Sequence, residues 1–116
     1  MAEAWARQLG EGVLEPSSAG LFPARIVQPE TFQVMAERDV ILHDRPPRPL
    51  YTVDGSAVDV VVNMVPAPAT PLLPGFTGRE IAWKVRDPIG QPIETYRAVR
   101  DQIERQVKEL IEELRP

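Results

Sequence analysis

Residues 58–65 read Val-Asp-Val-Val-Val-Asn-Met-Val, and five of these eight positions are valine. Branching at Cβ stiffens a side chain and suits it to a pleated strand. The run is nearly continuous rather than alternating, which is the pattern of a strand covered on both faces by helices in the interior of a parallel sheet.

Downstream, prolines at 66, 68, 71 and 74 forbid regular structure until Gly78, and Glu80 to Val85 supplies a second strand. Arg86 to Gly90 then leads into a long final helix with Pro92 in its first turn. Its apolar positions Ile93, Tyr96, Val99, Ile103, Val107, Leu110, Ile111 and Leu114 step by threes and fours. Asp101 with Arg105, and Glu104 with Lys108, are spaced as i,i+4 ion pairs on the opposite, solvated face. The stripe is about three heptads long but keeps no strict a/d register, which favours packing on a sheet over a coiled coil.

Upstream, Pro29 opens a helix with Phe32 and Met35 on one face, Ala36 beside them, and an end near Asp39. His43 to Pro49 holds three prolines and two arginines and reads as a loop. The chain begins directly as a helix, with Trp5 and Leu9 four apart and Gly10 and Gly12 as its stop; no N-cap residue introduces it. Val13 to Ser17 reads as a short strand followed by the turn Ser18-Ala19-Gly20 and a loop through Pro23. Alternating strands and helices imply an α/β three-layer sandwich with a mostly parallel sheet and right-handed crossovers, as one domain over residues 1–116. Sites in such sheets gather at the carboxyl ends of the strands, here residues 18–20, 66–74 and 86–90.

Composition narrows the chemistry. The formal charge of -4, with no basic stripe, argues against nucleic acid. There is no cysteine, so disulfides, thiolate metal sites and a cysteine nucleophile are excluded within these residues. No apolar run approaches the roughly 20 residues that span a bilayer, and the start has no signal-peptide pattern, so a cytoplasmic location with no membrane partner is expected. Nothing in the sequence calls for a cofactor.

Three segments carry a resemblance. They are the opening MAEAWARQLG, the stretch Pro16-Ser17-Ser18-Ala19-Gly20, and Trp83-Lys84-Val85-Arg86-Asp87-Pro88 followed by Tyr96 to Ile103. In order and spacing they resemble the low-molecular-weight protein tyrosine phosphatase and arsenate reductase family across essentially the whole chain. The resemblance implies a parallel four-stranded sheet whose central first strand ends in a Cys-x5-Arg loop. That loop and the helix after it cradle a phosphate or arsenate oxyanion and lower the cysteine's pKa. It also implies that the Asp of the Asp-Pro loop, Asp87 here, protonates the leaving oxygen.

The departures are equally specific. Met1 falls at a position internal to the family pattern, so the first strand and its loop, about 15 residues, are expected to be missing. Loop 66–74 lacks the redox cysteines of thiol-coupled arsenate reductases, which disfavours arsenate reduction. His43 is out of register with the family's loop histidine, where Arg45 stands.

Each candidate also has an ordinary reading. Asp87-Pro88 is common turn chemistry, and its place after a strand at the sheet's active edge is what makes it a candidate general acid. Ser18 beside Gly20 is first a turn, His43 an exposed loop residue, and Arg79 and Arg86 solvated charges that flank a strand. The prolines of 66–74 have no PxxP repeat with basic flanks, so a loop around the site is expected there rather than a ligand segment.

The expected function is that of a phosphate-monoester hydrolase family member, inactive on its own residues for want of the nucleophile. The alternatives are a noncatalytic pseudo-phosphatase that binds or dimerises, and an arsenate reductase-like fragment. Phosphate or a similar oxyanion is the expected ligand, and a homodimer that covers the missing strand is the expected assembly.

Overall fold

The computed structural model describes residues 1–20, 28–42, 48–64 and 70–115. In chain order it contains helix α1 (Ala2–Leu9), helix α2 (Pro29–Ala36), strand β1 (Val60–Asn63), strand β2 (Arg79–Ala82) and helix α3 (Ile93–Leu114), with short 3-10 turns at Leu50–Thr52, Gly55–Ala57 and Thr70–Leu72.

The two strands run parallel, Val60 beside Arg79 through Asn63 beside Ala82. Side chains alternate across a strand, so Val60, Val62, Arg79 and Ile81 share one face and Val61, Asn63, Glu80 and Ala82 the other. The first face looks toward α3, as the ion pair of Arg79 with Glu113 at 2.9 Å shows. The second is covered by the 73–76 turn, whose Leu73 and Phe76 are buried with Val61, Val58, Val53 and Leu50 against them. The expectation of a strand over Val58 to Val65 flanked by helices is therefore corrected in two respects. The strand is shorter, with Val65 outside the described residues, and on one face loops and 3-10 turns do the covering.

Residues 13–17 form no strand. Residues 11–13 turn back on α1, with Val13 N–H and Leu14 N–H both donating to Gly10 O, and the extended segment after them pairs only at Gly20, which bridges Pro49 in parallel. A strand exists only where a neighbour accepts its backbone groups, and residues 14–19 have no such ladder among the described residues.

The main core lies among the three helices, with α3 packed on both α1 and α2. Trp5, Val34, Met35, Val40, Tyr96, Val99, Ile103, Val107 and Ile111 are buried in one cluster, with Trp83, Val85 and Ile93 packed on its edge. The stripe read along the last helix thus faces inward, and Pro92 stands just before it as the N-cap. In α2 the buried pair is Val34 and Met35; Phe32, expected on the inner face, is only half-buried. That helix closes in a Schellman-type turn, Val40 N–H to Met35 O and Asp39 N–H to Ala36 O at 3.0 Å each, with Asp39 left-handed at φ 59°.

Arg100 is the buried cation of the helix interface. It donates to Val34 O at 2.9 Å, to Glu37 Oε1 at 2.6 Å and to Asp101 Oδ1 at 2.8 Å. Arg97 adds a two-pronged contact to Glu37, and Arg38 reaches Asp101 at 3.2 Å. Asp101 is thereby committed across the interface to α2 and not to Arg105, whereas the Glu104–Lys108 pair forms at 3.1 Å. Hydrogen bonds from Arg97, then Arg100, hold the Glu37 carboxyl at about 2.

Candidate active site

The residues that follow β2 are positioned step by step. Trp83 N–H donates to Asn63 O at 2.9 Å, extending the parallel ladder by one bond, and Lys84 O accepts from Gln102 Nε2 of α3 at 2.9 Å. With Trp83 and Val85 packed on the core, the chain leaves the sheet on a fixed path. Asp87 is then exposed, and its Oδ1 accepts the Ile89 N–H at 3.0 Å. Pro88 O accepts the Gln91 N–H at 2.9 Å, closing a β-turn whose third residue, Gly90, has φ 78°, a conformation glycine adopts without steric cost. Arg86 crosses the turn to donate to Gln91 Oε1 at 3.1 Å. Pro92 and α3 follow at once, so the loop is anchored at both ends.

Early in α3, Tyr96 is 2% exposed within the main core. Burial raises its phenol pKa, and the negative charges of Glu30 and Asp87 add to the effect. The second oxygen of Glu30 is itself buried with no hydrogen-bond partner. Tyr96 is thus within electrostatic reach of both Asp87 and the first turn of α2.

At the end of β1, Asn63 is buried and its Nδ2 donates to Glu80 Oε2 at 3.1 Å. Sequence reading missed this residue, because a polar position inside a valine run looks like the frayed end of a strand. Met64, just beyond, is 40% exposed.

The other sequence candidates are placed less centrally. Ser18 Oγ donates to Glu3 Oε1 at 2.7 Å, and Glu3 is also paired with Arg7 at 2.9 Å, so Ser18 fastens its segment to α1. Arg48 Nε donates to Ser18 O, and Gly20 exchanges bonds with Arg48 O and Leu50 N–H. Arg79 opens β2, and four residues of strand, about 13 Å, separate it from the end where Asp87 lies. Its Glu113 pair removes it from the anion-binding candidates. Arg86 remains beside Asp87. His43, Arg45 and residues 65–69 lie outside the described residues. Among the described residues there is no cluster of three potential metal ligands, and no helix is long and apolar enough to cross a membrane.

Met1 and Ala2 at the start of α1 pack on the same cluster as Val85 and Ile93, which flank residues 86–92 in the chain. The model of the low molecular weight phosphotyrosine protein phosphatase family matches residues 1–116, and the chain belongs to that family. It is similar to the glutaredoxin arsenate reductase of Synechocystis sp., 32% identical over 96% of this chain and 85% of that protein. It is likewise similar to a putative arsenate reductase of Halobacterium salinarum, 34% identical over 91% and 73%. Among solved structures, an arsenate reductase in the phosphate binding state superposes with a TM-score of 0.85 at 28% identity, covering 98% of this chain and 87% of that one.

Proposed function

We propose that this chain carries the proton-donor side of a phosphate- or arsenate-handling site, with Asp87 as the general acid. The observation that carries the reading is the state of its carboxylate. It is exposed at the carboxyl end of β2, with Oδ1 held by the Ile89 N–H, so that Oδ2 is the oxygen left to present a proton. In displacement at phosphorus the leaving oxygen gains negative charge, and a carboxylic acid within reach neutralises it. Phosphate and arsenate are tetrahedral oxyanions of like charge, so a frame shared with arsenate reductases suits either. The 116 residues contain no cysteine, so their own side chains perform neither thiolate attack nor the two-electron thiol oxidation that arsenate reduction requires.

By themselves these residues bind an oxyanion without turning it over. The absence of cysteine favours this noncatalytic reading over phosphatase activity of the chain alone. The sheet has two strands among the described residues, and a second copy that pairs at its edge is the assembly proposed; a monomer by light scattering at high concentration overturns that part.

Calorimetric titration with phosphate and with arsenate tests the site. The wild-type chain binds both, and Asp87→Asn binds them about 2–5-fold more tightly. Removing one negative charge a few ångströms from an exposed anion is worth about 0.5–1 kcal/mol. No binding, or equal affinity in the two forms, rules out an anion site beside Asp87. Hydrolysis of an aryl phosphate by the purified chain rules out the noncatalytic reading.

A further inference from the structure

Asp54 is followed by Gly55, the only Asp-Gly step in the sequence. In such a step no side chain shields the glycine nitrogen from the γ-carbon of the preceding carboxyl group. Attack forms the N–Cγ bond and breaks the Cγ–OH bond. The hydroxyl leaves as water with the amide proton, and a five-membered succinimide remains. Water then adds back. Opening at Cγ restores aspartate, and opening at the backbone carbonyl gives isoaspartate, with the chain now running through the side-chain carbonyl and longer by one methylene. Composition is unchanged and no oxidant or reductant takes part.

The fold holds this step shut from two sides. Asp54 Oδ1 accepts from Ser56 N–H at 3.0 Å and from Ser56 Oγ at 2.6 Å, while Asp54 O accepts the Ala57 N–H at 3.1 Å. The Ser56 hydroxyl bond, then its backbone bond, keep the Asp54 carboxyl ionised to lower pH than usual, and an ionised carboxylate has no good leaving group. Asp54 has ψ 103°, and closing the ring requires its peptide plane to swing away from that angle. Gly55 cannot follow the swing. It is buried, and even a Cβ there would lie 2.7 Å from Pro74 O, 3.0 Å from Phe76 N and 3.1 Å from Leu73 O. Asp54 itself is exposed to water.

We infer that Asp54–Gly55 is a latent modification site, at which isoaspartate forms when the 54–58 turn lifts off the 73–76 turn. An added methylene cannot keep both the Ala57 bond and the seat of Gly55, so the change holds open the turn that covers β1 through Leu73 and Phe76. The product presents a free α-carboxylate on a side branch, which is the substrate class of isoaspartyl methyltransferases.

The test is ageing of the intact chain at 37 °C and neutral pH, with isoaspartate read by enzymatic methyl transfer and located by loss of Asp-N cleavage at residue 54. The folded wild type accumulates it much more slowly than the chain in denaturant. Ser56→Ala keeps the backbone N–H and loses the hydroxyl bond; it ages several-fold faster than wild type, and Ser56→Thr stays close to it. Leu73→Val loosens the seat with the Asp54 bonds intact and also ages faster, so the proposal stays testable if Ser56→Ala fails to fold by circular dichroism. Equal rates in folded and denatured wild type, or wild-type rates in every folded variant, overturn the proposal.

Discussion

Replacing Gly55 with alanine sets a methyl group against three backbone atoms of one turn. The contacts would be 2.7 Å to Pro74 O, 3.0 Å to Phe76 N and 3.1 Å to Leu73 O, where ordinary contact begins near 3.4 Å. Backbone has no rotamer to yield with, so the 73–76 turn must retreat by several tenths of an ångström. That movement strains the Phe76 N–H bond to Leu73 O, 3.1 Å long, and unseats Leu73 and Phe76 from Val61. Overpacking of this kind costs about 1–3 kcal/mol. Gly55 does not lie in the left-handed region, so alanine recovers about 0.4–1 kcal/mol by restricting the unfolded chain. The net loss is about 1–2 kcal/mol. With about 2.1 cal/mol/K of unfolding entropy per residue, 116 residues give a fall in Tm of about 4–8 °C. Urea denaturation followed by tryptophan fluorescence, with the m-value unchanged, is the assay. An unchanged or higher midpoint would show that the 73–76 turn is not seated on Gly55 as described, and would remove the ground for the protection of Asp54.

Glu37 is expected to govern the acid limb of stability. Its folded pKa of about 2 lies below its ordinary 4.5, so its contribution is fully present above 4.5 and fades as pH falls toward 2; Glu37→Gln should be less stable at neutral pH and flatter across that window, and parallel pH profiles of the two proteins would refute the Arg97–Arg100 clasp. Met35, fully buried where α2 meets the core, should cost about 2–5 kcal/mol on replacement by alanine, and a loss below about 1 kcal/mol by urea titration would contradict its placement.

Part of the local structure was readable in the residues. Pro92 and the three-four stepping of apolar side chains located α3, and Asp87-Pro88 with Gly90 located the turn that leads into it. The partners were not readable. Asp101 and Arg105 have the spacing of a helix pair, yet Asp101 turns to Arg100 and Arg38 because α2 lies alongside. Ser18 has the setting of a loop donor, yet the first turn of α1 places Glu3 within its reach. Asp39 ends α2 in a left-handed conformation that a glycine would have announced.

The sequence by itself determined the α/β class, the order of the three helices and of the two strands after residue 57, and the absence of any thiol, while the order and spacing of three segments carried the resemblance to the family. The first three rest on local properties: β-branching, proline, period and composition. Only the tertiary structure decided that residues 13–17 stay unpaired, that one face of β1 is closed by a turn and not a helix, and that the charges of Glu30 and Asp87 act on the buried Tyr96. Strand pairing and electrostatic surroundings depend on groups distant in sequence, whose meeting no local pattern encodes.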